Sequence, residues 1–98
     1  MPAYVIASVS DAWDQEKLAE YRERNTDVVA AHGGRFLARG GTHETLEGDW
    51  APKRLVIMEF PDIDAARGWY ASDEYAALRE LRQAASDTDI VVVEGTPV

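Results

Sequence analysis

Arg54-Leu55-Val56-Ile57-Met58-Glu59-Phe60 decides the fold. It is a short run of branched and aromatic side chains closed by Pro61-Asp62, which marks a strand. Alternation puts Leu55, Ile57 and Glu59 on one face and Val56, Met58 and Phe60 on the other. Both faces are therefore apolar, and a strand of this kind must be covered front and back.

Toward the C-terminus, Asp62 is a candidate cap for a short helix from Asp64 to Ala71. Ser72-Asp73-Glu74 then reads as a fresh helix start. Tyr75, Leu78, Leu81 and Arg82 follow at helical spacing, to about Ala85. Asp89–Glu94 is a last strand, and residues 95–98 form a tail. Toward the N-terminus, residues 42–53 read as a loop, long for a compact domain and so a candidate functional segment. Before it, Arg35–Arg39 alternates as a short strand, with Phe36 and Ala38 on one face and Arg35, Leu37 and Arg39 on the other. Gly33-Gly34 stops a helix from Asp14 to about Ala31, whose stripe is Leu18, Tyr21, Val28 and His32, interrupted by Asn25. Ala3–Ser10 is the first strand, with Ser10 and Asp11 as the caps that end it.

The order strand, helix, strand, strand, helix, strand is the split βαβ pattern. It predicts one α+β, ferredoxin-like domain over residues 1–98, its antiparallel sheet carrying the helices on one face. The first and last strands share the two-sided apolar character: Val5, Ala7 and Val9 oppose Tyr4 and Ile6, and Ile90 and Val92 oppose Val91 and Val93. The uncovered face would form a patch larger than a monomer usually exposes. A two-fold interface hides it most simply, so a homodimer is expected, the alternative being a roof made by the loop or the tail.

Composition narrows the function classes. The 98 residues carry 18 acidic against 10 basic side chains, a net charge of -8, which argues against nucleic acid and anionic membrane as partners. Residues 35–54 depart from this, holding Arg35, Arg39, Lys53 and Arg54 against Glu44, Glu47 and Asp49, a local cationic spot for a small anion. Cysteine is absent, which removes disulfides, thiolate metal sites and a thiol nucleophile. The two histidines, His32 and His43, lack metal-type spacing, so no metal site is expected. No apolar run is long enough to span a bilayer. The N-terminus has no signal-peptide pattern, so a cytoplasmic location is expected.

Among candidate chemical groups, Glu59 interrupts an apolar strand and needs a partner if buried, with Arg39 and Arg82 as the options. His43 in the loop is open to acid–base work. At least one of Trp69 and Tyr70, both in the short helix, is expected in the core, and Trp50 either closes a pocket or packs on a second copy. Tyr75, in the first turn of its helix, could present a hydroxyl to a cleft.

One further pattern covers nearly the whole chain. Gly33-Gly34-Arg35-Phe36-Leu37-Ala38-Arg39-Gly40-Gly41, Leu46-Glu47-Gly48-Asp49-Trp50, Pro52-Lys53-Arg54, Glu59-Phe60-Pro61, Ala65-Ala66 with Trp69-Tyr70, Ser72 with Glu74-Tyr75, and Leu81-Arg82 together resemble the domain of unknown function 1330 family. Asp73 stands where that family often has proline. The resemblance implies a ferredoxin-like fold of the dimeric α/β-barrel superfamily. It points to Arg39, Glu47, Trp50, Arg54, Glu59, Tyr75 and Arg82, and it supplies neither an activity nor a cofactor. Superfamily relatives include cofactor-free monooxygenases, muconolactone isomerases and haem-handling enzymes, so fold cannot stand in for function.

Three readings follow. In the first, a small polar or anionic molecule binds between sheet and helices, with Arg39 or Arg54 on the anion, Trp50 and Tyr75 as walls and Arg82 as a further ligand-binding candidate. In the second, a cofactor-independent isomerase, lyase or oxygenase uses Glu59 or His43 to move a proton while an arginine stabilises an oxyanion. In the third, the domain is purely structural and its polar residues are ion pairs.

Overall fold

The computed structural model describes residues 1–97; Val98, the last residue of the expected tail, lies outside them. The chain runs β1 (Ala3–Ala12), α1 (Gln15–Ala31), β2 (Arg35–Arg39), β3 (Arg54–Phe60), α2 (Ile63–Ala71), α3 (Asp73–Ala85) and β4 (Ser86–Glu94). The strands form one antiparallel sheet in the order β2-β3-β1-β4, which is the expected ferredoxin-like arrangement. As the sequence predicts, a short helix ends before Ser72 and a fresh one begins there, the Ser72 hydroxyl accepting from the Tyr75 N–H to start α3. Asp62 caps α2 in the same way, its carboxylate accepting from the Ala65 N–H at 2.7 Å. Among the described residues no helix is long and apolar enough to cross a membrane.

Several local readings of the sequence need correction, among them the start of the last strand, which is Ser86 rather than Asp89. The first strand does not end at Ser10. A register shift between Val9 and Asp11 carries its pairing with β4 on to Ala12, and Asp14 is the residue that caps α1. The short strand Arg35–Arg39 does not alternate cleanly either. Phe36 pairs with Met58 but Ala38 pairs with Ile57, so Leu37 is an extra residue in a β-bulge. Beyond the bulge the faces exchange: Ala38 turns outward and Arg39, opposite Val56, turns toward the helices.

The core lies between the sheet and the three helices. Val5, Met58 and Phe60 from the sheet meet Val29, Ala66, Trp69, Tyr75 and Leu78 from the helices. Asn25 does not interrupt the stripe of α1; it is buried and accepts a hydrogen bond from the Trp69 indole N–H at 3.2 Å. The other face carries Tyr4, Ile6, Leu55, Ile57, Val91 and Val93, as the register requires. It is not roofed: Val91 is 56% and Val93 49% exposed. The long loop touches one end of it, where the Trp50 indole N–H donates to the Ser8 hydroxyl at 3.0 Å. The loop is tied to itself by His43, whose Nε2 lies 2.7 Å from the Pro52 carbonyl oxygen.

Candidate functional site

A cavity of about 480 Å³ opens between α1, α3 and the helix-facing side of the sheet. Its floor is apolar, built from Ala7, Val9, Val56 and Met58 on the strands, with Leu18 and Phe36 beside them. Four arginines border it: Arg22, Arg39, Arg54 and Arg82. Each is placed by a specific local feature. Arg39 is there because of the bulge at Leu37; its guanidinium lies 3.8 Å above the Phe36 ring and donates to Thr26 Oγ1 at 2.8 Å. Arg54 faces inward opposite Val9, and its guanidinium occupies the space that a side chain at Gly40 would fill. Gly40 is also at φ +75°, so both its backbone and its bare Cα are needed. Arg22 lies on the buried stripe of α1, four residues from Leu18 and three from Asn25.

Arg82 is the most enclosed of the four, at 6% exposure. Its Nε donates to the Tyr75 hydroxyl across a long 3.4 Å, and that hydroxyl shares a 2.7 Å hydrogen bond with the Tyr21 hydroxyl. Tyr75 is fully buried, its ring 4.3 Å from that of Trp69, so it positions Arg82 from the core side rather than walling the cavity.

The electrostatics are unusual for a chain of net charge -8. Among the described residues the ion pairs are Lys17–Asp14, Arg24–Glu20, His32–Glu74, Arg35–Glu59, Lys53–Asp11 and Arg67–Asp64, and no carboxylate pairs with the four cavity arginines. Burial, then the neighbouring Arg54 charge and less so Arg22, pull Arg39 below the ordinary guanidinium value, with Tyr21 opposing them. Burial and Arg22 lower Arg54 in the same way. A guanidinium stays protonated in a protein, so the cavity holds several positive charges without a counter-charge from the chain. Among the described residues no three His, Asp or Glu side chains converge as a metal site requires.

The remaining sequence candidates lie elsewhere. Glu59 is on the outer face and pairs with its cross-strand neighbour Arg35 at 2.8 Å, not with Arg39 or Arg82. His43 and Trp50 belong to the loop, and neither borders the cavity. Tyr21 and Arg22 were not singled out as site residues; the 18, 22, 25, 29 spacing along α1 is the signal that finds Arg22.

Burial, then the Tyr75 hydroxyl, raise Tyr21 far above the ordinary phenol value of 10.0. The neutral phenol is the form the fold holds, so its contribution is complete below pH 10 and is lost as pH rises above it, where the unfolded chain ionises first. Each pH unit above that point is expected to remove about 1.4 kcal/mol more from the wild type than from Tyr21→Phe. Urea midpoints of both proteins at pH 9 and 11 read the difference. Parallel curves would show that Tyr21 ionises freely in the folded state.

Comparison with known proteins agrees with this architecture. A family model described as a domain of unknown function (DUF1330) matches residues 2–96. No curated protein matches. Among solved structures, a protein of unknown function from Rhodopseudomonas palustris superposes with a TM-score of 0.76 at 20% identity, covering 99% of this chain and 84% of that one. A dimeric ferredoxin-like protein of unknown function from Jannaschia sp. CCS1 gives 0.72 at 11% identity, covering 97% and 100%. SnoaB, a cofactor-independent oxygenase from Streptomyces nogalater, gives 0.62 at 13% identity, covering 99% and 94%. At these identities the likeness shows the fold alone, whereas the family match spans almost every residue, from the first strand to the tail. The chain belongs to the domain of unknown function 1330 family.

Proposed function

We propose that this protein is a homodimer that binds a small anionic molecule, one carboxylate-bearing ligand per chain, in the cavity between sheet and helices. One observation carries the ligand reading: four arginines without a carboxylate partner border an apolar-floored cavity in an otherwise acidic chain. Charge left unpaired at partly buried sites is costly, and an incoming anion relieves it. The apolar floor adds affinity for a hydrocarbon body, and Arg39 and Arg54 supply charge-assisted donors to its acid group. The binding reading fits better than proton-transfer catalysis, because the titratable groups named for that role, Glu59 and His43, lie outside the cavity. The dimer reading rests on the unroofed outer face and draws support from the fold's likeness to dimeric proteins.

Calorimetry with hexanoate and benzoate tests the ligand reading. Arg39→Met and Arg54→Met are each expected to weaken binding about 30-fold or more, the effect of roughly 2 kcal/mol for truncating one partner of a buried charge pair. Native mass spectrometry of freshly purified protein adds the subunit count and the mass of any retained molecule. Affinity that is unchanged in both variants would remove the anion site.

A further inference from the structure

Resting on the anion-binding reading, we infer that the ligand carries a second acid group, and that Arg82 is its anchor at the far end of the same cavity. The cavity is lined from all four strands, from Phe36 and Arg39 on β2 across to Ser86 and Thr88 on β4. With neighbouring strands about 4.8 Å apart, those two sides are about 14 Å apart at the level of the backbone. Arg39 and Arg54 converge at the β2–β3 end, beside Gly40 and Lys53. Arg82 comes from α3 at the β4 end, beside Ser86 and Thr88. The stretch between is the apolar floor of Ala7, Val9 and Val56.

Arg82 has the features of an anchor awaiting a ligand. It is nine-tenths buried, it pairs with no carboxylate among the described residues, and its Nε donates to the Tyr75 hydroxyl. Neutral hydroxyls, Tyr75 and behind it Tyr21, hold the guanidinium from the core side, and among the described residues no carboxylate pairs with its planar fork of donors. A planar pair of donors of this kind fits a carboxylate bidentately. The chemistry that satisfies both ends at once is a dicarboxylate, or an equivalent dianion, with a short apolar spacer.

Calorimetry with two homologous series decides it: the monocarboxylates butanoate to octanoate, and the α,ω-dicarboxylates succinate to suberate. The wild type is expected to bind one dicarboxylate per chain, at least 10-fold more tightly than the monocarboxylate of equal length, with the gain peaking at one chain length. Arg82→Lys, which keeps the charge but not the fork, is expected to lower that gain several-fold. Its effect on monocarboxylate affinity should be clearly the smaller of the two, whereas Arg39→Met lowers both series alike. Monocarboxylates that bind in an Arg39-dependent way with no dicarboxylate advantage at any length would overturn the second anchor and leave the anion site standing. Two ligands per chain would also overturn it, by giving Arg82 a site of its own. If neither series binds, the anion reading falls as well. The wild-type length series stands on its own should the Arg82 variant fold poorly.

Discussion

Ile57→Asp is expected to turn the proposed homodimer into a monomer that keeps its fold. Ile57 sits at the centre of the outer face, opposite Ile6 on β1 and Ala38 on β2. Its neighbours in sequence, Val56 and Met58, point the other way and belong to the helix side, so the core beneath is untouched. In the dimer two carboxylates would enter an apolar interface related by two-fold symmetry, each without a basic partner at the centre of the patch. A few kcal/mol per buried charge is the scale of that penalty, enough to shift a micromolar association beyond reach. In the monomer the same side chain meets water at little cost. Sedimentation of the wild type should give twice the 10.9 kDa chain mass, and the variant a single chain with an unchanged far-ultraviolet spectrum. A wild type that sediments as one chain, or a variant that remains paired, would mean the exposed Val91 and Val93 belong to no self-complementary surface.

How far the sequence could be read depended on whether a feature was set by pattern or by register. Arg54–Phe60 declared itself because alternation and composition agree over seven residues, and the caps at Asp62 and Ser72 are local chemistry, settled within three residues of the chain. The bulge at Leu37 is different. Nothing in Arg35–Arg39 signals an extra residue, since the bulge exists only relative to the register of β3, yet it sends Arg39 to the cavity instead of the outer face. The partner of Glu59 was hidden for the same reason: Arg35 is its neighbour only once β2 and β3 are aligned. Arg39 and Arg54 could be named from residue type and charge asymmetry, and Arg82 from the family resemblance. That they share one cavity follows from the sheet order, which brings β2 and β4 to opposite edges over one helix layer. Tyr75 shows the limit in the other direction. A tyrosine in a first helical turn can face a cleft or the core, and here its ring joins Trp69 while only its hydroxyl acts, through Arg82.

Trp69→Ala is expected to leave the chain largely unfolded at 37 °C. Trp69 is fully buried and forms the hub of the aromatic cluster, with ring centroids 5.6 Å from Phe60, 4.3 Å from Tyr75 and 6.0 Å from Tyr70. Removing the indole opens a large void at the junction of α1, α2, α3 and β3, which costs about 3–5 kcal/mol. It also takes the donor from Asn25 Oδ1, buried on α1, and an unsatisfied buried acceptor adds about 1–3 kcal/mol. The sum approaches the whole stability of a domain this size, about 5–15 kcal/mol. The two contributions can be separated. Trp69→Phe keeps a ring against Phe60 and Tyr75 but still strands Asn25, so it should be destabilised by a smaller amount. Adding Asn25→Leu removes the orphaned amide and should recover part of that loss, because replacing both polar partners with apolar groups is far less costly than removing one. Thermal unfolding followed by circular dichroism reads all four proteins on one scale, with each kcal/mol worth about 4–8 °C. A Trp69→Ala midpoint within a few degrees of wild type would mean the cluster closes over the void. A double variant weaker than Trp69→Phe alone would mean the Asn25 amide makes its main contribution elsewhere than to the indole.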